Sequence, residues 1–150
     1  MDRSSAPIMS FSGANRWLSN FWAVSINREG VTYSSVEHAY MAAKSDDPEW
    51  KRVCATTAAP GAVKRASRTI TLRDGWDALK VDVMLDCLRL KFYQPDMAAK
   101  LLSTGDALLV EGNTWGDVFW GVDIRRNPPA GANTLGQLLM HVRGELGGSR

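Results

Sequence analysis

Cysteine is scarce in this sequence: Cys54 and Cys87 are the only two in 150 residues. They form no CxxC pair, and two cannot frame a disulfide-stapled fold. Both sit among apolar neighbours, where a thiol acts as a small core hydrophobe. Histidine is as sparse, with only His38 and His141. No cluster has the ligand spacing of a metal centre, so neither metal nor cofactor is expected. No apolar run approaches the roughly 20 residues that cross a bilayer. The opening MDRSSAPIMSF lacks the hydrophobic stretch of a signal peptide, and a cytoplasmic protein without a membrane partner is expected. Neither sign of charge dominates: 18 Lys and Arg against 16 Asp and Glu leave +2, which does not announce a nucleic-acid binder but leaves room for a local basic patch. P-loop and GxGxxG motifs are missing, as are internal repeats.

What remains is an ordinary globular composition, 45% hydrophobic and 23% charged, long enough to bury a core without staples. One domain over residues 8–146 is expected. The polar, proline-containing segment 1–7 and the glycine-rich segment 147–150 are expected to be flexible tails.

Helices are expected to dominate. Residues 24–26 and 31–33 flank AsnArgGluGly and predict a hairpin turned by Gly30. Ser34 and Glu37 stand in the S-x-x-E arrangement of a capping box, which predicts a helix over 34–44. Asp47 before Pro48 predicts another helix start, and Pro60 another. Asp77 is expected to cap the longest helix, with Leu79, Val83, Leu85, Leu88, Leu90 and Phe92 at mainly helical spacing. A further helix is expected over 97–103. Short strands are expected at 108–111 and 118–120, around a GlyAsnThrTrpGly turn, and a last helix from Asn133 or Thr134. The fold class is α+β, mainly helical with small sheet or hairpin elements.

The segment SSVEHAYMAAK is the most informative for chemistry. Seven residues separate Glu37 from Lys44, two helical turns, so they share a face with a rise of about 10 Å between them. Tyr40 and Met41 lie between. Two long side chains so placed could bend over one ligand. The same spacing also suits a well-capped helix, with an acid near its start and a base at its end. His38 points about 100° away around the helix and reads as structural.

Company decides between these readings. LeuSerAsnPheTrp at 18–22, SerValGluHisAlaTyr at 35–40 with Lys44, TrpAspAlaLeuLys at 76–80 and LysPheTyrGln at 91–94 recur in order with ThrGlyAspAlaLeuLeuValGlu at 104–111, PheTrpGly at 119–121 and AsnThrLeuGlyGlnLeuLeuMet at 133–140. In that order the chain resembles the YbiA-like, or NADAR, family from about residue 11 to 143. The resemblance implies an α+β fold and cleavage of N-glycosidic bonds. Two kinds of activity are described for the family: removal of ADP-ribose from modified guanine bases in nucleic acid, and breakdown of aminated ribosyl-pyrimidine intermediates of riboflavin synthesis. The resemblance also associates the lysine of the EHxxxxxK motif, here Lys44, with a covalent sugar adduct, and makes Glu37 its acidic partner.

The chemistry fits those residue types. A neutral lysine amine attacks the anomeric carbon and forms an imine as the ribose opens, provided that apolar surroundings encourage it to lose its proton. Glu37 would shuttle protons between leaving base, amine and water. A route without an imine has Glu37 activate water against an oxocarbenium-like sugar.

Around this pair, Trp22, Trp76 and Trp120 are candidate walls for a base or adenine ring, or else core anchors, the role expected of Trp17, Trp50 and Trp115. Asn20 suits sugar hydroxyls or a turn. Glu111, Gly121 and Asp123 lie at strand ends or turns where ribose contact is expected. In the basic run Lys64, Arg65, Arg68 and Arg73, Arg65 and Arg68 are the candidate pyrophosphate ligands, although such runs are usually solvated. Ser67 stands where the family pattern leads one to expect a glycine. The partner is thus ADP-ribose or a ribosyl phosphate, with ADP-ribosylated DNA or RNA as its carrier. A binding module without turnover is the competing class, but it would have no use for an amine and an acid together.

Overall fold

The computed structural model describes residues 5–148. It is α+β: six α-helices and two two-stranded sheets among the described residues. These fall into two compact units, Asn20–Lys91 and the described part of Met1–Ser19 with Phe92–Arg150. Of the expected tails, Met1–Ser4 and the last two residues lie outside the described residues. In the described remainder the Ser5 N–H donates to Asp106 at 2.8 Å and Gly147 is still helical.

In the unit Asn20–Lys91, β1 (Ile26–Arg28) and β2 (Val31–Tyr33) pair antiparallel with Arg28 opposite Val31. The first strand therefore lies two residues beyond the expected 24–26, because the loop is only Glu29–Gly30. Both take positive φ, 53° and 84°, the geometry a two-residue hairpin loop demands. Helix α1 (Val36–Ala42) follows, then α2 (Pro48–Thr56), α3 (Pro60–Ala66) and α4 (Trp76–Phe92). Asp47 caps α2 through the Glu49 N–H, as its place before proline predicts. Asp77 does not cap α4: Trp76 is already helical, and Asp77 sits in the first turn. The buried face of α4 carries Val83, Met84, Cys87, Leu88 and Lys91, while Leu79 is exposed.

Every residue of α1 is buried, which makes this short helix the centre of its unit. The carbonyls at its end find donors outside the helix. The Trp50 indole N–H donates to Met41 at 2.8 Å, and the Lys51 ammonium to Ala42 at 3.1 Å. Both thiols, Cys54 and Cys87, are free and fully buried, and burial pushes each up to about 12.

The other unit holds α5 (Pro95–Leu102) and α6 (Thr134–Gly147), over a core that includes Phe11, Leu18, Leu101, Leu109, Leu135 and Leu139. Its strands are shorter than expected and displaced. β3 (Gly112–Asn113) and β4 (Val122–Asp123) pair parallel, residues 118–120 form no strand, and Leu109 makes only an isolated bridge to Ile8. The backbone groups of 119–121 are taken by α6. Asn133, Thr134 and Leu135 donate their N–H groups to the carbonyls of Gly121, Phe119 and Trp120 at 3.2, 3.1 and 3.0 Å. These bonds satisfy donors that a helix start otherwise leaves open. Gly136 lets α6 approach closely, since a Cβ there would meet the Leu109 carbonyl oxygen at 2.1 Å.

Candidate active site

Eight of the expected site residues lie in the unit Asn20–Lys91, and five of them, Asn20, Glu37, Tyr40, Lys44 and Trp76, are linked to one another there. The N-cap of α1 is Ser35, whose hydroxyl accepts from the His38 N–H, and not Ser34. This moves the capping frame by one residue, so Glu37 is the second helical residue and not the third position of a capping box. Its side chain is buried at the helix start, where the backbone dipoles favour a negative charge. The Glu37 N–H donates to the carbonyl of Asn20 at 3.0 Å, which sets Asn20 directly before the carboxylate.

Lys44 lies past the end of α1, two residues beyond Ala42, so the expected single helix over 34–44 is shorter. The chain stays tightly wound there, with the Lys44 N–H donating to Met41 at 3.2 Å. Its ammonium lies 5.8 Å from the centre of the Tyr40 ring. Tyr40 in turn packs on Trp76, centroids 5.3 Å apart and tilted by 54°. Trp76 is buried, 7% exposed, and so forms part of the wall behind Tyr40.

Burial pulls the Lys44 amine below its usual range. The Glu37 charge opposes that shift, and the positive charges of Lys64 and Lys80 add to it. A carboxylate and two further lysines therefore lie within electrostatic reach of one half-buried amine. The Asn20 side chain adds an acceptor. Its Nδ2 donates to the Met84 sulfur at 3.5 Å, while Oδ1 is buried without a hydrogen-bond partner. Buried acceptors are almost always paired, and the exceptions call for a reason.

Trp22 is half-buried, whereas Arg65 and Arg68 are exposed and form no ion pair among the described residues. The Arg65 guanidinium folds back toward Gly61, whose Cβ, if present, would lie 3.6 Å from Nη1. Arg73 pairs with Asp46 at 3.4 Å and donates its N–H to the Lys44 carbonyl at 2.8 Å. Ser67 occupies the expected glycine position without strain, at φ −63°, its hydroxyl donating to the Lys64 carbonyl at 2.6 Å. His38 bridges two elements: Nε2 donates to the Thr57 carbonyl at 2.8 Å, and Nδ1 faces the Ser35 hydroxyl at 2.7 Å. Both ring nitrogens are thereby occupied.

The remaining expected residues, Glu111, Trp120, Gly121 and Asp123, lie together in the other unit. Val122 donates its N–H to the Glu111 carbonyl at 2.9 Å. A Cβ on Gly121 would meet that same oxygen at 2.3 Å, so only glycine fits. The Trp120 ring stands edge-on to Phe119, centroids 4.8 Å apart. Asp123 is buried and engaged: Arg125 donates to it from its backbone N–H, Nε and Nη2 at 3.0, 3.1 and 3.1 Å. These bonds hold its carboxyl down at about 2. Asp123 thus anchors its own loop.

The loop also depends on two asparagines that the sequence reading passed over. Asn113 is buried and donates from Nδ2 to the carbonyls of Asp117 and Val122, at 2.8 and 3.2 Å, while accepting from the Asp117 N–H at 3.0 Å. Asn133, left-handed at φ 52°, donates to the Leu109 carbonyl and accepts from the Glu111 N–H, both at 2.9 Å. A sequence signal existed in both cases, but Asn113 read only as part of a turn and Asn133 only as a helix start. Lys91 is the other omission, a lysine wholly buried on α4, its amine pushed down to about 7 by burial. Among the described residues no group of three or more His, Cys, Asp or Glu side chains converges as metal ligands, and no helix is long and apolar enough to cross a membrane.

Fold and site define the class: an α+β protein carrying a buried carboxylate and a desolvated amine within one unit. The chain belongs to the NADAR domain family, which matches residues 10–147. It is 36% identical over 131 residues to the N-glycosidase YbiA of Escherichia coli, covering 85% of this chain and 79% of that protein. The NMR structure of E. coli YbiA superposes with a TM-score of 0.81 at 32% identity, over 98% of this chain and 88% of the other. A riboflavin biosynthesis protein of Vibrio vulnificus is 36% identical over 133 residues, 87% of this chain but 35% of that protein.

Proposed function

We propose that this chain cleaves the bond between ribosyl C1 and a base nitrogen, and that its substrate is an ADP-ribosylated guanine in nucleic acid, from which it releases ADP-ribose. It is a hydrolase of N-glycosyl bonds, the class that its E. coli relative bears by name. The observation that carries the residue-level reading is the state of Lys44. Its amine is lowered by burial, beside a buried carboxylate and a buried acceptor on Asn20 that has no partner.

In this reading Glu37 takes the proton of the Lys44 ammonium, the freed amine attacks C1 as the C1–N bond breaks, and Glu37 passes that proton to the leaving base. Glu37 then recovers the proton that the substituted amine gives up. Ring opening converts the N-ribosyl lysine to an imine, and water adding at C1 returns the amine and frees the sugar. Asn20 accepts a ribose hydroxyl, while Tyr40, Trp76 and Trp22 border the ring or base. Arg65 and Arg68, both exposed, are the proposed ligands of the pyrophosphate. Glu111, Trp120, Gly121 and Asp123 are the substrate-binding candidates of the other unit, where Asp123 is held by Arg125.

A second substrate, a ribosyl phosphate intermediate of riboflavin synthesis, is favoured by the Vibrio relative. Both are tested together by offering an oligonucleotide bearing ADP-ribosylated guanine and an aminated ribosyl-pyrimidine phosphate, each with borohydride. The expected results are release of ADP-ribose from the oligonucleotide and a trapped sugar mass on Lys44. Release from the small substrate alone would transfer the assignment to the second reading. Undiminished release by Lys44→Ala would exclude the imine route.

A further inference from the structure

The side-chain amide of Asn20 has two chemically opposite ends, an oxygen that only accepts hydrogen bonds and a nitrogen that only donates them. Its backbone is fixed first, the carbonyl taken by the Glu37 N–H at 3.0 Å. Nδ2 then donates to the sulfur of Met84 at 3.5 Å, and Oδ1 is buried without a partner. A thioether has no proton to give, so it can receive Nδ2 but has nothing to offer Oδ1. Turning the amide over would set the oxygen against the sulfur lone pairs and leave Nδ2 unpaired instead. Met84 itself is held. It is 2% exposed on the buried face of α4, beside Val83, Cys87 and Leu88. That helix is tied to β1 by Arg28, whose Nε donates to Asp86 at 2.9 Å. Leucine would fill nearly the same volume, so packing alone does not call for a sulfur here.

We propose that Met84 is a positioning residue for substrate recognition: its sulfur engages the nitrogen of the Asn20 amide and so leaves the oxygen for the sugar, which makes the site selective for a ribose that presents a hydroxyl donor. The inference rests on the reading of Asn20 as a ribose ligand, and adds the residue that decides which end of the amide the sugar meets. A group that accepts but does not donate finds no partner at Oδ1. An amide free to turn would take either kind of group.

The test is calorimetric titration with ADP-ribose and with two analogues, each carrying fluorine in place of the 2- or 3-hydroxyl of the ribose to be cleaved. Wild type is expected to bind ADP-ribose about tenfold better than one of the fluoro analogues, the loss of one hydrogen bond. In Met84→Leu the amide presents either end, and this preference is expected to fall to about threefold or less. In Asn20→Asp an oxygen faces the sugar whichever way the carboxylate turns, so adding Met84→Leu is expected to change the preference no further. No preference in wild type, a preference untouched by Met84→Leu, or an equal loss in both backgrounds would overturn the proposal. A second measurement needs neither ligand nor variant. In NMR spectra of the wild type, the Asn20 side-chain amide protons are expected to cross-relax with the Met84 methyl group. Absence of that signal would also overturn the proposal, even should Met84→Leu fail to fold. If Met84→Leu narrows the preference as expected while neither proposed substrate is cleaved, the reading as a glycosidase on those substrates fails and the positioning role stands.

Discussion

The backbone N–H of Glu37 donates to the carbonyl of Asn20 at 3.0 Å, joining a buried carboxylate to an amide whose own oxygen is buried and unpaired. An acceptor kept in that state is a standing cost to the fold, since an unsatisfied buried polar atom lowers stability by about 1–3 kcal/mol. Its use must lie outside folding. Asn20→Ala is therefore expected to leave the melting temperature unchanged or raise it, while KM for the ribosyl substrate rises about tenfold, the loss of one hydrogen bond. A drop in stability with unchanged KM would assign Asn20 to the scaffold.

Glu37→Gln keeps the shape of the side chain and removes its charge. Turnover is expected to fall by about 10²–10⁴-fold, the usual contribution of a proton shuttle. The Glu37 charge holds the proton on Lys44, so the same variant is expected to shift trace acetylation of Lys44, read by mass spectrometry across a pH series, to lower pH.

Asp123 links stability to acidity. Its carboxyl is held at about 2 in the folded chain against an ordinary 3.8, so the folded state favours the ionised form. The stabilisation is fully present above the ordinary value and is lost as the pH falls from about 4 toward about 2. Asp123→Asn is expected to be less stable than wild type near neutral pH and to show a shallower loss in that acid window. Because Arg125 is more than half exposed, high salt is expected to narrow the difference. Urea melts at several pH values measure it.

Two glycines of α6 should respond in opposite directions. Gly136→Ala places a methyl group 2.1 Å from the Leu109 carbonyl oxygen and is expected to destabilise by about 1–3 kcal/mol or more. At Gly144, exposed and with nothing within 4 Å of an added Cβ, alanine is expected to stabilise by about 0.5–1 kcal/mol through helix propensity. Thermal melts of the two variants separate close packing from propensity.

Much of the local structure was legible because it is written in short-range chemistry. Asp47–Pro48 starts α2, Pro60 starts α3, and Gly30 turns the hairpin, each through the backbone preference of one or two residues. The misplacements arose where a neighbour competed. Ser34 and Ser35 both offer a capping hydroxyl, and only the buried partner network of His38 selects Ser35. The apolar run 108–111 reads as strand, yet around it only Ile8 bridges Leu109, while the carbonyls at 119–121 go to α6.

For the site, the order of motifs around Glu37 and Lys44 was enough to determine the family, and with it the bond to be cleaved, because residue types in fixed order are a property of the chain alone. Their spacing could not distinguish a working pair from a well-capped helix. Tertiary structure alone decided the surroundings: it buries Glu37, withdraws Lys44 from water beside Tyr40, leaves Asn20 Oδ1 without a partner and fills Asp123 with Arg125. Desolvation and hydrogen-bond satisfaction depend on what surrounds an atom in space, and those surroundings come from segments far apart along the chain.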